Sequence, residues 1–234
     1  MIGSQSFGGN RSEPLSIAIP TGPWMVAVSD GIGGHRGGSE ASLEVVEALC
    51  GCKRVTPLSI TEILERTNRH LCERGREDHH LTGMGATVAG IGCGGRGLFA
   101  FNVGDSRVYR FDSDQLTQIT RDDSEAEDLL DQGLLEPYDG RRPGYLHALT
   151  QAIGGRDEVV DIDTHIHPLE VKQKTRFLVC SDGLTDMIES AEIAETLLSR
   201  RDCATAVQTL FQQAMYAGGL DNITLALIDI EPAA

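Results

Sequence analysis

The order of its elements predicts an α+β protein built on antiparallel sheets. Two helix patterns come early and two come late, with a long run of short strands between them. A doubly wound parallel sheet would need strand and helix to alternate strictly, and here they do not. Two apolar strand patterns, ending at residues 28 and 180, both run directly into Ser-Asp-Gly, as Ser29-Asp30-Gly31 and Ser181-Asp182-Gly183.

Taken in order, residues 1 to 14 are rich in Gly and Ser. Leu15 to Pro20 and Trp24 to Ser29 read as strands joined by a hairpin through Pro20-Thr21-Gly22-Pro23. Ser39 to Leu49 fits a helix with Ala41, Val45, Val46 and Leu49 on one face. Ser59-Ile60-Thr61-Glu62 has the form of a capping box, opening a second helix with Ile63, Leu64, Thr67 and Leu71 inward. Strands follow at Ala86 to Ile91, Gly97 to Val103, Arg107 to Phe111 and Gln115 to Ile119, separated by Gly or Asp turns. Ser124 with Glu127 caps a short helix ending at Gly133. Residues 134 to 147 are polar and irregular, a candidate mobile surface segment. Asp161 to Ile166 and Phe177 to Cys180 read as strands, then Ala191 to Ser199 and Cys203 to Tyr216 as helices, and Ile223 to Ile230 as the last strand. With no repeat and no linker, residues 1–234 are expected to form one domain.

The balance of charge narrows the choice of partner. A formal charge of −15 argues against nucleic acid, whose binding depends on Lys and Arg neutralising phosphates. No apolar run reaches the length of a membrane span. The six cysteines form no Cys-x-x-Cys pair, and no His spacing suggests zinc. With no basic region leading into an apolar run at the start, a cytoplasmic protein with reduced thiols is expected.

Asp-Gly usually makes only a turn. Here five acids sit beside turns: Asp30, Asp105, Asp182, Asp186 and Asp221. Carboxylates brought this close would repel unless cations held them. An oxygen-only set suits magnesium or manganese.

Six stretches carry a resemblance. They are Asp30-Gly31-Ile32-Gly33-Gly34-His35, Met84-Gly85-Ala86-Thr87-Val88, Val103-Gly104-Asp105-Ser106-Arg107-Val108-Tyr109, residues 116–124, Leu178-Val179-Cys180-Ser181-Asp182-Gly183-Leu184-Thr185-Asp186, and Asp221-Asn222-Ile223-Thr224. In this order and spacing they resemble the metal-dependent serine/threonine protein phosphatases of the PP2C (PPM) family, bacterial type. The resemblance implies a four-layer α-β-β-α sandwich with two central antiparallel sheets and a binuclear metal centre at one end. It implies that Asp30 bridges two Mn2+ or Mg2+ ions, that the Gly31 carbonyl ligates one, and that Asp182 and Asp221 hold the other. Asp105 and Asp186, with Asp182, match a third and weaker site. Residues 122–147 match a variable flap. A metal-activated water would be the nucleophile, with no covalent intermediate. His35 would protonate the leaving oxygen, and Arg11 would hold the substrate phosphate. An exposed turn residue and an ordinary surface Arg are the plain alternatives for those two. The implied partners are phosphorylated proteins and a cognate Ser/Thr kinase. Oligomeric state is left open by the sequence, with a monomer as the default expectation.

The pattern breaks at the N-terminal side. The family places Arg-x-x-Asn-Glu/Gln-Asp ahead of the first strand, and here the run is Arg11-Ser12-Glu13-Pro14-Leu15-Ser16. Leu15 falls where a Glu ligates the second metal, so a weaker second site is expected. A pseudophosphatase that binds phosphoproteins without turnover is the alternative. Two further readings are weaker: a serine hydrolase using Ser106 lacks an Asp-x-x-His partner near the C-terminus, and a calcium-binding structural domain would need a compact loop of acids.

Overall fold

The computed structural model describes residues 13–32, 35–136 and 148–232, with the backbone alone at residues 35 and 36. It contains two antiparallel sheets. The first orders its strands β1 (Trp24–Ile32), β2 (Gly85–Gly94), β3 (Gly97–Val103) and β7 (His165–Leu169), with the two-residue β6 (Ile153–Gly154) paired to the start of β2. The second orders β5 (Gln115–Gln118), β4 (Arg107–Asp112), β8 (Thr175–Cys180) and β9 (Leu225–Ile230). Helices α1 (His35–Cys50) and α2 (Pro57–Glu77) cover the first sheet. The short α4 (Asp182–Thr185) with α5 (Ser190–Ser199) and α6 (Cys203–Tyr216) cover the second, while α3 (Glu125–Asp131) follows β5.

Three apolar layers separate these four. Because side chains alternate along a strand, each sheet feeds two of them. On β1, Met25 packs toward α1 and α2, while Val26 and Val28 enter the space between the sheets. On β8, Phe177 and Val179 fill that same space, and Leu178 and Cys180 face α4 to α6. Gly90 and Gly92 of β2 lie beneath aromatic rings: a Cβ on either would come within 2.6 or 2.7 Å of Phe101 or Phe99. Their absent side chains let those rings lie flat between sheet and helices.

Most predicted elements appear within a few residues of their expected bounds, and four expectations need correction. Residues 15–20 form no strand, so no hairpin precedes β1. Pro20 and Pro23 remove two donors that a hairpin ladder would use. Helix α2 starts earlier than the Ser59 box implies. Thr56 is the N-cap, accepting from the Ser59 N–H at 3.2 Å, with Pro57 at the first helical position. The strand expected at 161–166 lies at His165–Leu169 instead. Gln151 accounts for the shift: its Oε1 accepts from the Asp163 N–H at 2.6 Å, and its Nε2 donates to the Asp163 carbonyl at 2.9 Å. Finally, neither Ser-Asp-Gly is a turn. Gly31 continues β1, paired with Ala86, and Gly183 lies inside α4.

Candidate metal centre

The two Ser-Asp-Gly runs do the same three jobs at the same rim of the sandwich. The serine anchors. The Ser29 hydroxyl donates to the Thr87 carbonyl at 2.7 Å, tying the end of β1 to β2. The Ser181 hydroxyl donates to the Asn222 carbonyl at 3.2 Å and accepts from the Thr224 N–H at 3.1 Å, tying the end of β8 to the loop before β9. The glycine permits close approach. A Cβ on Gly31 would lie 2.1 Å from the Gly38 carbonyl oxygen in α1, and one on Gly183 would lie 2.2 Å from the Asn222 carbonyl oxygen. Between them the aspartates meet.

Asp30, Asp182 and Asp221 are brought together. Burial pushes the Asp30 carboxyl up to about 7, followed by the negative charges of Asp182 and Asp221 and a hydrogen bond with Asp182; the Gly31 N–H, donating at 3.0 Å, opposes the shift. Asp221 accepts from the Asn222 N–H at 2.6 Å, which fixes its loop. Asp105 joins from the connection between β3 and β4. Its carboxyl is raised well above the ordinary range by burial, then by Asp182 and Asp122, against the nearby Arg107. Asp186 closes the turn of α4, its N–H donating to the Asp182 carbonyl at 2.8 Å, so both acids lie on one helical turn.

Among the described residues, no three Asp, Glu, His or Cys side chains already surround one point as a finished ligand shell. The acids meet as mutually repelling neighbours. The fit to a hard divalent cation rests on donor chemistry: carboxylates from separate segments and an exposed backbone at Gly31, with Cys180 buried in β8 away from any such role. Arg11 lies outside the described residues, as does the side chain of His35; the backbone of His35 opens α1. Leu15 is 51% exposed.

Sequence reasoning missed the scaffold beneath the acids. Arg107 donates to both Asp122 oxygens, at 3.0, 3.0 and 2.6 Å, and to the Tyr109 hydroxyl at 3.0 Å. Ser106 is fully buried, its hydroxyl 2.7 Å from that of Thr87, which removes it as an exposed nucleophile. The repeated serine before each Asp-Gly was the available signal for the anchoring role.

Fold and site together define a class: a four-layer sandwich in which carboxylates from the ends of both sheets meet at one rim. The family profile for protein phosphatase 2C matches residues 15–217, and the chain belongs to that family. It is 33% identical over 218 residues to protein phosphatase PhpP of Streptococcus pneumoniae, covering 89% of this chain and 87% of that protein. It is 31% identical over 214 residues to serine/threonine phosphatase stp of Listeria innocua, covering 88% and 84%. The catalytic domain of PstP, solved in complex with two manganese ions, superposes with a TM-score of 0.75 at 26% identity, covering 100% of this chain and 96% of that one.

Proposed function

We propose that the chain is a metal-dependent protein phosphatase that hydrolyses phosphoserine and phosphothreonine. The observation that carries this reading is the meeting of Asp30, Asp182 and Asp221 at one rim, where burial first, and then the charges of Asp182 and Asp221, raise the Asp30 carboxyl. Asp30, the Gly31 carbonyl, Asp182 and Asp221 would hold two Mn2+ or Mg2+ ions, and Asp105 and Asp186 with Asp182 a third. When bound, such cations lower the pKa of water and offset charge at phosphorus. The chain's own residues supply the rest. Arg11 would grip the phosphate, His35 would give a proton to the departing seryl or threonyl oxygen, Gly183 keeps the segments of Asp182 and Asp221 close, and Gly31 lets α1 pack against the end of β1. With Leu15 in place of an acid, Asp30 and the Gly31 carbonyl would be left, with water, to hold the second ion, and would hold it more weakly.

In this reading residues 1–234 form one phosphatase domain, monomeric and cytoplasmic, with 122–147 as its flap and with a cognate kinase and that kinase's substrates as partners. Among the described residues no helix is long and apolar enough to cross a membrane. Phosphate release from phosphothreonine peptides, with and without manganese, tests the proposal. Activity should require the metal and vanish in Asp182→Asn. A folded, manganese-binding protein without turnover would instead point to a phosphoprotein-binding role.

A further inference from the structure

We infer that Asp123 is a positioning residue for Asp105, acting through Gly104; the inference rests on the metal-site reading above. Asp123 is 5% exposed, yet its two oxygens take three donors. Oδ2 accepts from the Gly104 N–H at 2.8 Å and from Gln151 Nε2 at 2.9 Å, and Oδ1 pairs with His165 Nε2 at 2.8 Å. The contact with Gly104 is reciprocal, since the Asp123 N–H donates back to the Gly104 carbonyl at 3.1 Å. Gly104 has φ +95°, and a Cβ there would lie 2.6 Å from the Thr87 side chain, so this residue has one place to be. Asp105 is the next residue along. On its far side, Ser106 is bonded to Thr87 and Arg107 to Asp122.

The same residue sits at the root of the segment that follows. The Asp123 carbonyl accepts from the Thr150 N–H at 2.9 Å, the Ala148 carbonyl accepts from the Glu125 N–H at 2.9 Å, and Ser124 bridges to Leu149. Asp123 therefore links three things: the loop carrying Asp105, the paired ends around residues 124 and 149, and the edge strand β7 through His165. A carboxylate of this kind orients a metal-binding neighbour without touching the ion, and losing one typically weakens metal binding about 10- to 100-fold.

The test is manganese calorimetry on the full chain for wild type, Asp123→Ala, Asp105→Asn and the double variant, with circular dichroism as a check on folding. Asp123→Ala should weaken the weakest manganese site about tenfold and leave tighter binding intact. In the Asp105→Asn background it should add nothing, because both changes act on one site. Additive losses, or loss of the tighter binding as well, mean a general structural role and overturn the inference. If Asp123→Ala does not fold, Gln151→Ala and His165→Ala each remove one donor from the same carboxylate. Both must weaken the same site by a smaller factor, and no change in either overturns the inference. A wild type that binds no manganese overturns the metal reading and this inference with it. Binding in wild type that Asp123→Ala leaves untouched overturns this inference alone.

Discussion

Gly183 lies against the backbone of Asn222 so closely that a Cβ on it would sit 2.2 Å from the Asn222 carbonyl oxygen. Its backbone is ordinary helix, so space and not conformational freedom demands the glycine. Gly183→Ala must push the Asp221 loop away from Asp182. We expect it to cost about 1–3 kcal/mol of stability, in the range of overpacking, and to weaken manganese binding as well. Urea denaturation and calorimetry read the two effects separately.

The Arg107–Asp122 pair is the second point of leverage. The Asp122 side chain is fully buried and that of Arg107 is 12% exposed. Asp122→Ala leaves a buried guanidinium without its carboxylate and should destabilise by about 3–5 kcal/mol. Asp122→Asn, which keeps an acceptor, should cost less. The urea midpoint ranks the two.

His165 gives a pH signature. Its pKa is raised above the usual histidine value, first by the hydrogen bond with Asp123 and further by the charges of Asp123 and Asp163, against burial and Arg121. A raised folded value means that the folded state holds the proton more tightly than the unfolded chain does. The stabilisation is thus complete below the unfolded value of about 6.5 and fades as pH rises through the folded one. The urea midpoint should fall across that window, and His165→Gln should flatten this component.

Leu15 offers a gain of function. Calorimetry should find unequal manganese sites in the wild type, and Leu15→Glu should tighten the weaker one and lower the manganese needed for half-maximal activity. Two equally tight sites in the wild type would contradict the assignment.

Gly97–Val103 was legible as a short apolar run between glycine turns, and Cys203–Tyr216 by its helical periodicity; both have the bounds the sequence predicted. The meeting of Asp30 and Asp182 was legible because Ser-Asp-Gly recurs. What the sequence hid was proximity between distant backbones. Asp30-Gly31 reads as a turn, but Gly31 is in a strand and is small because α1 passes over it. Asp122 and Asp123 read as the polar start of a flap, yet both are buried, and only folding brings Arg107 and His165 to them. Strand β6, two residues long, has no periodicity to detect.

Asp30 hangs from one sheet, while Asp182 and Asp221 hang from the other. The gap between those carboxylates is therefore gauged by the hydrocarbon packed in the seam, where Ala89 and Ala100 are fully enclosed beside Phe177 and Ile228. A larger side chain at either alanine would wedge the sheets apart and spread the rim, changing the spacing of the carboxylates without altering any of them. The geometry of the rim is thus written in part by residues far from any carboxylate.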